Sequence, residues 1–216
     1  MPHQRPVLLE PRKSPVQARS TASVESILEA TIQVLLSVGK ERLTTTRVAQ
    51  RAGVSVGTLY QYFPNKSALL QAALRRHLES VASALEQACL EERGSPLAQM
   101  ATRVVNTFLE AKMRDLETSK ALYSVSSDVD GWKIAYEIGG RVNKAILSMV
   151  ASACEPLQKD PQLITSMIQA GMVGVSRRLL ESSSPEKQYE PYKQELSVMM
   201  RAYLATCSYR VSNGRR

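Results

Sequence analysis

The stretch from Leu43 to Lys66 gathers hydroxyls, phenols, an amide and an ammonium around two short apolar turns. Groups of these types hydrogen-bond to phosphates and to the edges of bases. Its order is helix, glycine turn, helix. Thr44, Thr45 and Thr46 offer hydroxyls to cap the first of these helices, whose inner face is Val48, Ala49 and Ala52. Ala49 is small where a second helix must cross closely, Gly53 can adopt the left-handed turn, and Val54 and Leu59 lock the pair. Ser55 can cap the second helix, which turns Leu59, Tyr62 and Phe63 inward. Gly57 and Gln61 then point away from the core, flanked by Thr58 and Tyr60. The major groove of DNA admits one helix, and this one is suited to it. Gln61 can pair bidentately with adenine, Val56 can meet a thymine methyl, Gly57 permits close approach, and the capped N-terminus suits a phosphate.

Other chemistries find little support. The only histidines are His3, near the N-terminus, and His77, on the apolar stripe of a later helix, so a nucleophile and histidine pair would rest on His77 alone. A satisfied, half-buried histidine is the plainer reading of His77. No glycine-rich phosphate loop, metal-ligand spacing or paired-carboxylate motif stands out, so no catalytic residue, metal or cofactor is expected. Cys89, Cys154 and Cys207 are odd in number and widely separated, which indicates free thiols rather than a disulfide framework.

A helix that reads DNA needs a scaffold and a favourable field. The chain has 216 residues and a net charge of +8. Residues 1–78 carry eleven Lys and Arg against four Glu, a net of +7, and the remainder carries +1. A basic first third on a nearly neutral remainder is the footprint of a nucleic-acid-binding module joined to something else. Four prolines and several cations make residues 1–22 a flexible basic arm, whose Arg12, Lys13 and Arg19 either reach a minor groove or, the plainer reading, stay solvated and add only non-specific attraction. Apolar spacing from Val24 to Leu36 predicts a first helix stopped at Gly39. A long helix follows from near Lys66 to about Glu92, and helical periodicity continues over about 97–113, 116–127, 131–154, 161–182 and 189–210. The expected fold is all-α with about nine helices. No apolar run approaches the roughly 18 to 20 residues that span a bilayer, and no secretory segment opens the chain, so a cytoplasmic protein without membrane contact is expected.

The segment LTTTRVAQRAGVSVGTLYQYFPNKSALL, Leu43 to Leu70, resembles the DNA-binding domain of the TetR family of bacterial transcriptional repressors. The threonine run, the Ala-Gly-Val turn, the Gly-Thr-Leu-Tyr-x-Tyr-Phe helix and the following Lys carry the likeness, which with the first helix covers about 20–80. Val48 stands where the family often has Ile, and the arm is longer than the minimum. The resemblance implies that Thr44 or Thr45, Ser55, Thr58, Tyr60, Tyr62 and Lys66 meet DNA backbone or base edges. It also implies a helical domain over 81–216 that holds a small-molecule effector pocket and a two-helix dimerisation surface.

Residues suited to those two tasks can be picked from the sequence. Phe108, Met113, Tyr123, Trp132, Tyr136 and Met149 are the larger side chains of the plausible pocket walls, with Glu137 and Arg141 as polar neighbours or solvated charges. Ala170, Gly171 and Gly174 would let a neighbouring helix approach. Leu196, Met199, Met200 and Tyr203 lie on an apolar face too broad for one buried side, so these two helices are the expected homodimer interface. A dimer would read a near-palindromic double-stranded operator and leave it when an effector binds. The alternatives are an architectural or constitutive DNA-binding regulator without effector, and a cysteine-based redox-responsive regulator.

Overall fold

The computed structural model describes residues 18–209, with side chains from Thr21 onward. Every regular element among them is helical: α1 (Ala18–Arg42), α2 (Thr45–Ala52), α3 (Val56–Tyr62), α4 (Lys66–Glu91), α5 (Leu97–Met113), α6 (Leu116–Val125), α7 (Gly131–Ala151), α8 (Pro161–Leu180) and α9 (Pro185–Ala205), with one 3-10 turn at Ser126–Val129. The fold is all-α, as the periodicity predicts.

Boundaries differ from the sequence reading where composition misled. Arg12 and Lys13 lie outside the described residues, but α1 already begins at Ala18, inside the stretch read as arm. Apolar periodicity starts only at Val24, yet no proline follows Pro15 there and alanine favours the helix. At the far end of α1 the backbone breaks at Gly39, with φ 75°, before Leu43 is buried. Helix α9 starts at Pro185 and carries Pro191 inside it, upstream of the expected start. It also stops early, at Ala205, because the following residues pair with a loop: Gln158 N donates to Cys207 O at 2.9 Å and Tyr209 N to Pro156 O at 3.1 Å.

The membrane expectation also needs a correction. Within Thr21–Arg42 one stretch of 18 residues reaches a mean hydropathy of 1.3, which meets the length and composition of a bilayer-crossing helix. Serines and threonines interrupt the apolar run without lowering the average much. The same helix places Ile27, Leu28, Ala30, Thr31, Ile32, Val34 and Leu35 in the interior, so packing inside the protein accounts for its apolarity.

The chain divides into two compact units. The first holds residues up to Leu78 together with Glu117–Ala135, and the second holds Glu79–Leu116 and residues from Tyr136 on. In the first unit Ile27, Leu43, Val48, Leu59, Phe63 and Leu69 are fully enclosed. Each such side chain stabilises the folded unit by about 1.5–3 kcal/mol relative to exposure. Arg76 on α4 reaches Glu25 at 2.8 Å and Glu29 at 3.0 Å on α1, while Arg51 on α2 donates to Gln33 on α1 at 2.6 Å. The distant segment Glu117–Ala135 joins through Gln71 donating to Val129 O at 3.0 Å, through Ser119 and His77 at 3.1 Å, and through Lys40 and Asp128 at 2.5 Å. His77 is thus a half-buried, hydrogen-bonded side chain.

In the second unit α9 packs along α5 and α8. The backbone N–H of Leu97, at the start of α5, lacks a cap from Pro96 and donates instead to the Glu155 carboxylate at 3.0 Å. Arg141 on α7 is held by Glu79 at 2.6 Å and Glu86 at 3.0 Å on α4, a structural fork between helices.

Candidate nucleic-acid interface

The turn between α2 and α3 is built as its residues require. Thr44 caps α2, its hydroxyl accepting from Arg47 N at 3.2 Å. Gly53 ends that helix at φ 69° and ψ 27°, the left-handed region that suits glycine. Ser55 then caps α3, accepting from Thr58 N at 2.9 Å, and its hydroxyl also pairs with that of Thr58 at 2.8 Å. Leu59 on α3 and Val48 and Ala49 on α2 are completely buried, which fixes α3 rotationally against α2.

With Leu59 turned in, the opposite side of α3 faces solvent. Gly57 and Gln61 are exposed, Val56 is 37% exposed and Tyr60 is 39% exposed. For a large apolar or aromatic side chain on a short helix, such exposure leaves contact area for another molecule. Thr58 and Tyr62 are half-buried beside them, and Phe63 is buried just past the helix end. The Tyr60 hydroxyl lies 3.0 Å from that of Thr45 at the start of α2.

Lys66 has a partner within the protein. Its ammonium donates to the carbonyl oxygen of Lys40 near the end of α1, a bond that ties the start of α4 to α1. The ammonium has three donors, so this bond leaves capacity for a phosphate. Sequence reasoning missed Arg47, an exposed cation in the first turn of α2 beside the threonines. Its place in the helix, one position before the buried Val48, was the available signal.

The remaining candidate residues scatter. Phe108 and Met149 are buried core side chains of the second unit, Met113 is half-buried there, and Tyr136 on α7 is 83% exposed. Tyr123, half-buried, and Trp132, 67% exposed, belong to the first unit, so the proposed pocket wall is divided between the units. A shallow recess of about 430 Å³ in the second unit is lined instead by residues such as Leu97, Glu155, Arg201 and Thr206.

The expected dimer residues also separate. Leu196 and Met200 are buried within the second unit, and a Cβ on Gly171 would lie 2.3 Å from the Met200 terminal methyl. Those residues close α8 on α9 within one protomer. Ala170, Gly174 and Met199 face solvent, joined by Leu163, Met167 and Val173 on α8 and Val198 on α9, while Tyr203 is half-buried under Lys159.

The three thiols differ in environment. Burial, with Glu86 nearby, pushes the Cys89 thiol up to about 12, and Cys207 is buried. Cys154 is exposed, but partial desolvation and the hydrogen-bonded Glu155 carboxylate raise it as well. A reactive thiol needs the opposite environment. Among the described residues, no cluster of three His, Cys, Asp or Glu side chains is arranged to hold a metal.

Comparison with known proteins agrees with this geometry. Residues 27–73 match the family described as bacterial regulatory proteins, tetR family, and residues 96–204 match the tetracyclin repressor-like C-terminal domain. The chain is 36% identical over 94 residues to the nucleoid occlusion factor SlmA of Haemophilus ducreyi, covering 43% of this chain and 44% of that protein. It is 44% identical over 64 residues to the HTH-type transcriptional repressor KstR of Mycolicibacterium smegmatis, covering 30% of this chain and 31% of that protein. The chain thus spans less than half the length of either relative. A TetR-family regulator structure from Mesorhizobium loti superposes with TM-score 0.72 at 17% identity, over 89% of this chain and all of that one, and shows the same fold. With both family domains matched in order, the chain belongs to the TetR family of DNA-binding transcriptional regulators.

Proposed function

We propose that the protein is a cytoplasmic, non-enzymatic repressor that binds a near-palindromic operator as a homodimer and leaves it when a small molecule occupies the second unit. The observation that carries the DNA-reading part is the solvent-facing row of Val56, Gly57, Tyr60 and Gln61 on a helix whose other side, Leu59, is fully buried. Phosphate contacts from Thr44, Thr45, Ser55, Thr58, Tyr60, Tyr62 and Lys66 would set position, and Gln61 and Val56 would read bases.

The dimer part is supported by the exposed apolar row on α8 and α9, where Leu163, Met167, Val173, Val198 and Met199 are each about half exposed. Such a row buries naturally against its own copy across a two-fold axis. Two recognition helices about 34 Å apart then meet successive turns of one DNA face. Met167→Lys is expected to convert the dimer to monomer by analytical ultracentrifugation while helix content stays unchanged. A dimer that survives this change would move the interface elsewhere.

Release by an effector requires that the ligand bind one state better than the other, and a difference of about 1–3 kcal/mol changes operator affinity about 5- to 150-fold. Helices α4 and α7 both run without interruption through the unit divisions, at Leu78 and at Ala135, and are covalent paths available to that coupling. DNA binding without an effector is the second reading. Similarity to a protein named nucleoid occlusion factor favours it, as does the close-packed burial of Phe108 and Met149.

The deciding experiment selects bound sequences from a random duplex pool at about 150 mM salt, where non-specific attraction is weak. A palindromic motif with two chains bound supports the regulator. Absence of any motif, with binding lost at modest salt, would refute it. Screening small molecules for displacement of that motif then separates the two readings.

A further inference from the structure

The Thr45 and Tyr60 hydroxyls meet across the α2–α3 turn at 3.0 Å, fifteen residues apart in sequence. Thr45 sits at the first position of α2, directly after the Thr44 cap, and Tyr60 lies near the end of α3. The pair is exposed, so nothing in the interior demands it.

We propose that Thr45 is a positioning residue for Tyr60, so that one DNA phosphate is bound through the Tyr60 O–H with the pair acting as a single coupled unit rather than as two independent contacts. This rests on the proposed DNA-reading role of α3. Each hydroxyl has one proton, so in a bonded pair only one O–H remains free to point outward. A phenol is the stronger donor toward an anionic oxygen. The arrangement that serves a phosphate therefore has Thr45 donating to the Tyr60 oxygen and Tyr60 donating outward. Accepting one bond polarises the phenol and strengthens the bond it donates. The same bond holds the Tyr60 ring in one orientation before DNA arrives, which removes part of the ordering cost of binding.

The neighbouring hydroxyl pair shows why Tyr60 is the one so aimed. Ser55 and Thr58 also meet, at 2.8 Å, but Ser55 is already accepting from Thr58 N as the α3 cap. That pair is fixed by the α3 cap, and its remaining donor is an aliphatic hydroxyl. The Thr45–Tyr60 pair has no such backbone duty, and its outward donor is the more acidic phenol.

A double-mutant cycle tests the coupling. Thr45→Val, Tyr60→Phe and the double variant are compared with wild type for binding to the selected operator and, separately, to a mixed-sequence duplex, because phosphate contacts are sequence-independent. Tyr60→Phe is expected to weaken binding about tenfold or more, as for a hydrogen bond to a charged group. Thr45→Val is expected to weaken it by a similar order, and the double variant to be no weaker than Tyr60→Phe within about twofold. Thr45→Ser, which keeps the hydroxyl, should restore binding, a rescue that a merely structural role of the methyl group would not give. Losses that multiply in the double variant would overturn the proposal, as would a Thr45→Val variant that binds normally. Wild-type chain that binds only mixed-sequence duplex would sink the operator reading instead, while the cycle on that duplex would still decide whether the pair is coupled.

Discussion

Gly53 offers a clean perturbation because its cost separates into backbone and steric parts. The residue ends α2 at φ 69° and ψ 27°, and a Cβ built there meets nothing within 4 Å. Gly53→Ala therefore adds no clash, and its whole effect is that of placing a side chain in the left-handed region, about 1–2 kcal/mol. For a chain of about 200 residues that is a fall of about 2–8 °C in Tm. Gly53→Asn should lose less, since asparagine tolerates this conformation through local hydrogen bonds. Differential scanning calorimetry on both variants gives the comparison, with hydrogen exchange at Val54 and Leu59 locating the loss, since Val54 N is bonded to Ala49 O at 3.0 Å across this turn. Operator affinity measured well below the melt should stay within a few-fold of wild type. Equal losses for Ala and Asn, or a gain for Ala, would refute the argument that left-handed backbone geometry is what this position requires.

Lys66→Met should show two effects: a lower melting temperature from losing the bond to Lys40 O, and a salt dependence of DNA binding flatter by about one phosphate contact. Unchanged stability would mean that the Lys40 bond contributes nothing. A thiol reagent at pH 8 should modify Cys154 and leave Cys89 unreacted in the folded protein, because the Cys89 thiol, pushed up to about 12, remains protonated; rapid labelling at Cys89, read by mass spectrometry, would contradict this. Burial lowers Lys112 to about 8 from its ordinary 10.5, so below pH 8 it is charged both folded and unfolded and the desolvation cost is fully present. Between about pH 8 and 10.5 the unfolded chain holds the extra proton, and stability from this group rises with pH. The stability of wild type relative to Lys112→Met should accordingly rise between about pH 8 and 10.5 in urea titrations. A gap that does not change with pH would remove the desolvation argument.

Much of the DNA-binding unit was legible because its determinants are local. The threonine cap, the left-handed glycine, the serine cap and the buried Leu59 are each set within a few residues, by hydrogen bonds and φ preferences that operate before any distant contact forms. The all-α class follows from apolar spacing alone. What chain order could not show is which faces are used twice. Leu196 and Met200 read as part of a broad apolar interface, but they are consumed by α8 packing on α9 within one protomer, and only the structure separates them from outward Met199. Trp132 and Tyr136 read as pocket walls because they are among the larger side chains of the plausible wall helices, yet both project into solvent. Likewise Lys66 reads only as a contact for DNA, and the Lys40 carbonyl it also serves is visible only in the packed chain.

Helix type, the turn chemistry between α2 and α3, and the groups that α3 exposes can all be read from chain order. Tertiary structure alone decided that Glu117–Ala135 packs in the unit that holds α2 and α3, that Thr45 and Tyr60 share a hydrogen bond, and which apolar residues remain uncovered. The difference is one of range: caps and periodicity depend on neighbours within a turn or two, whereas burial and hydroxyl pairing depend on side chains that meet only after the helices have packed.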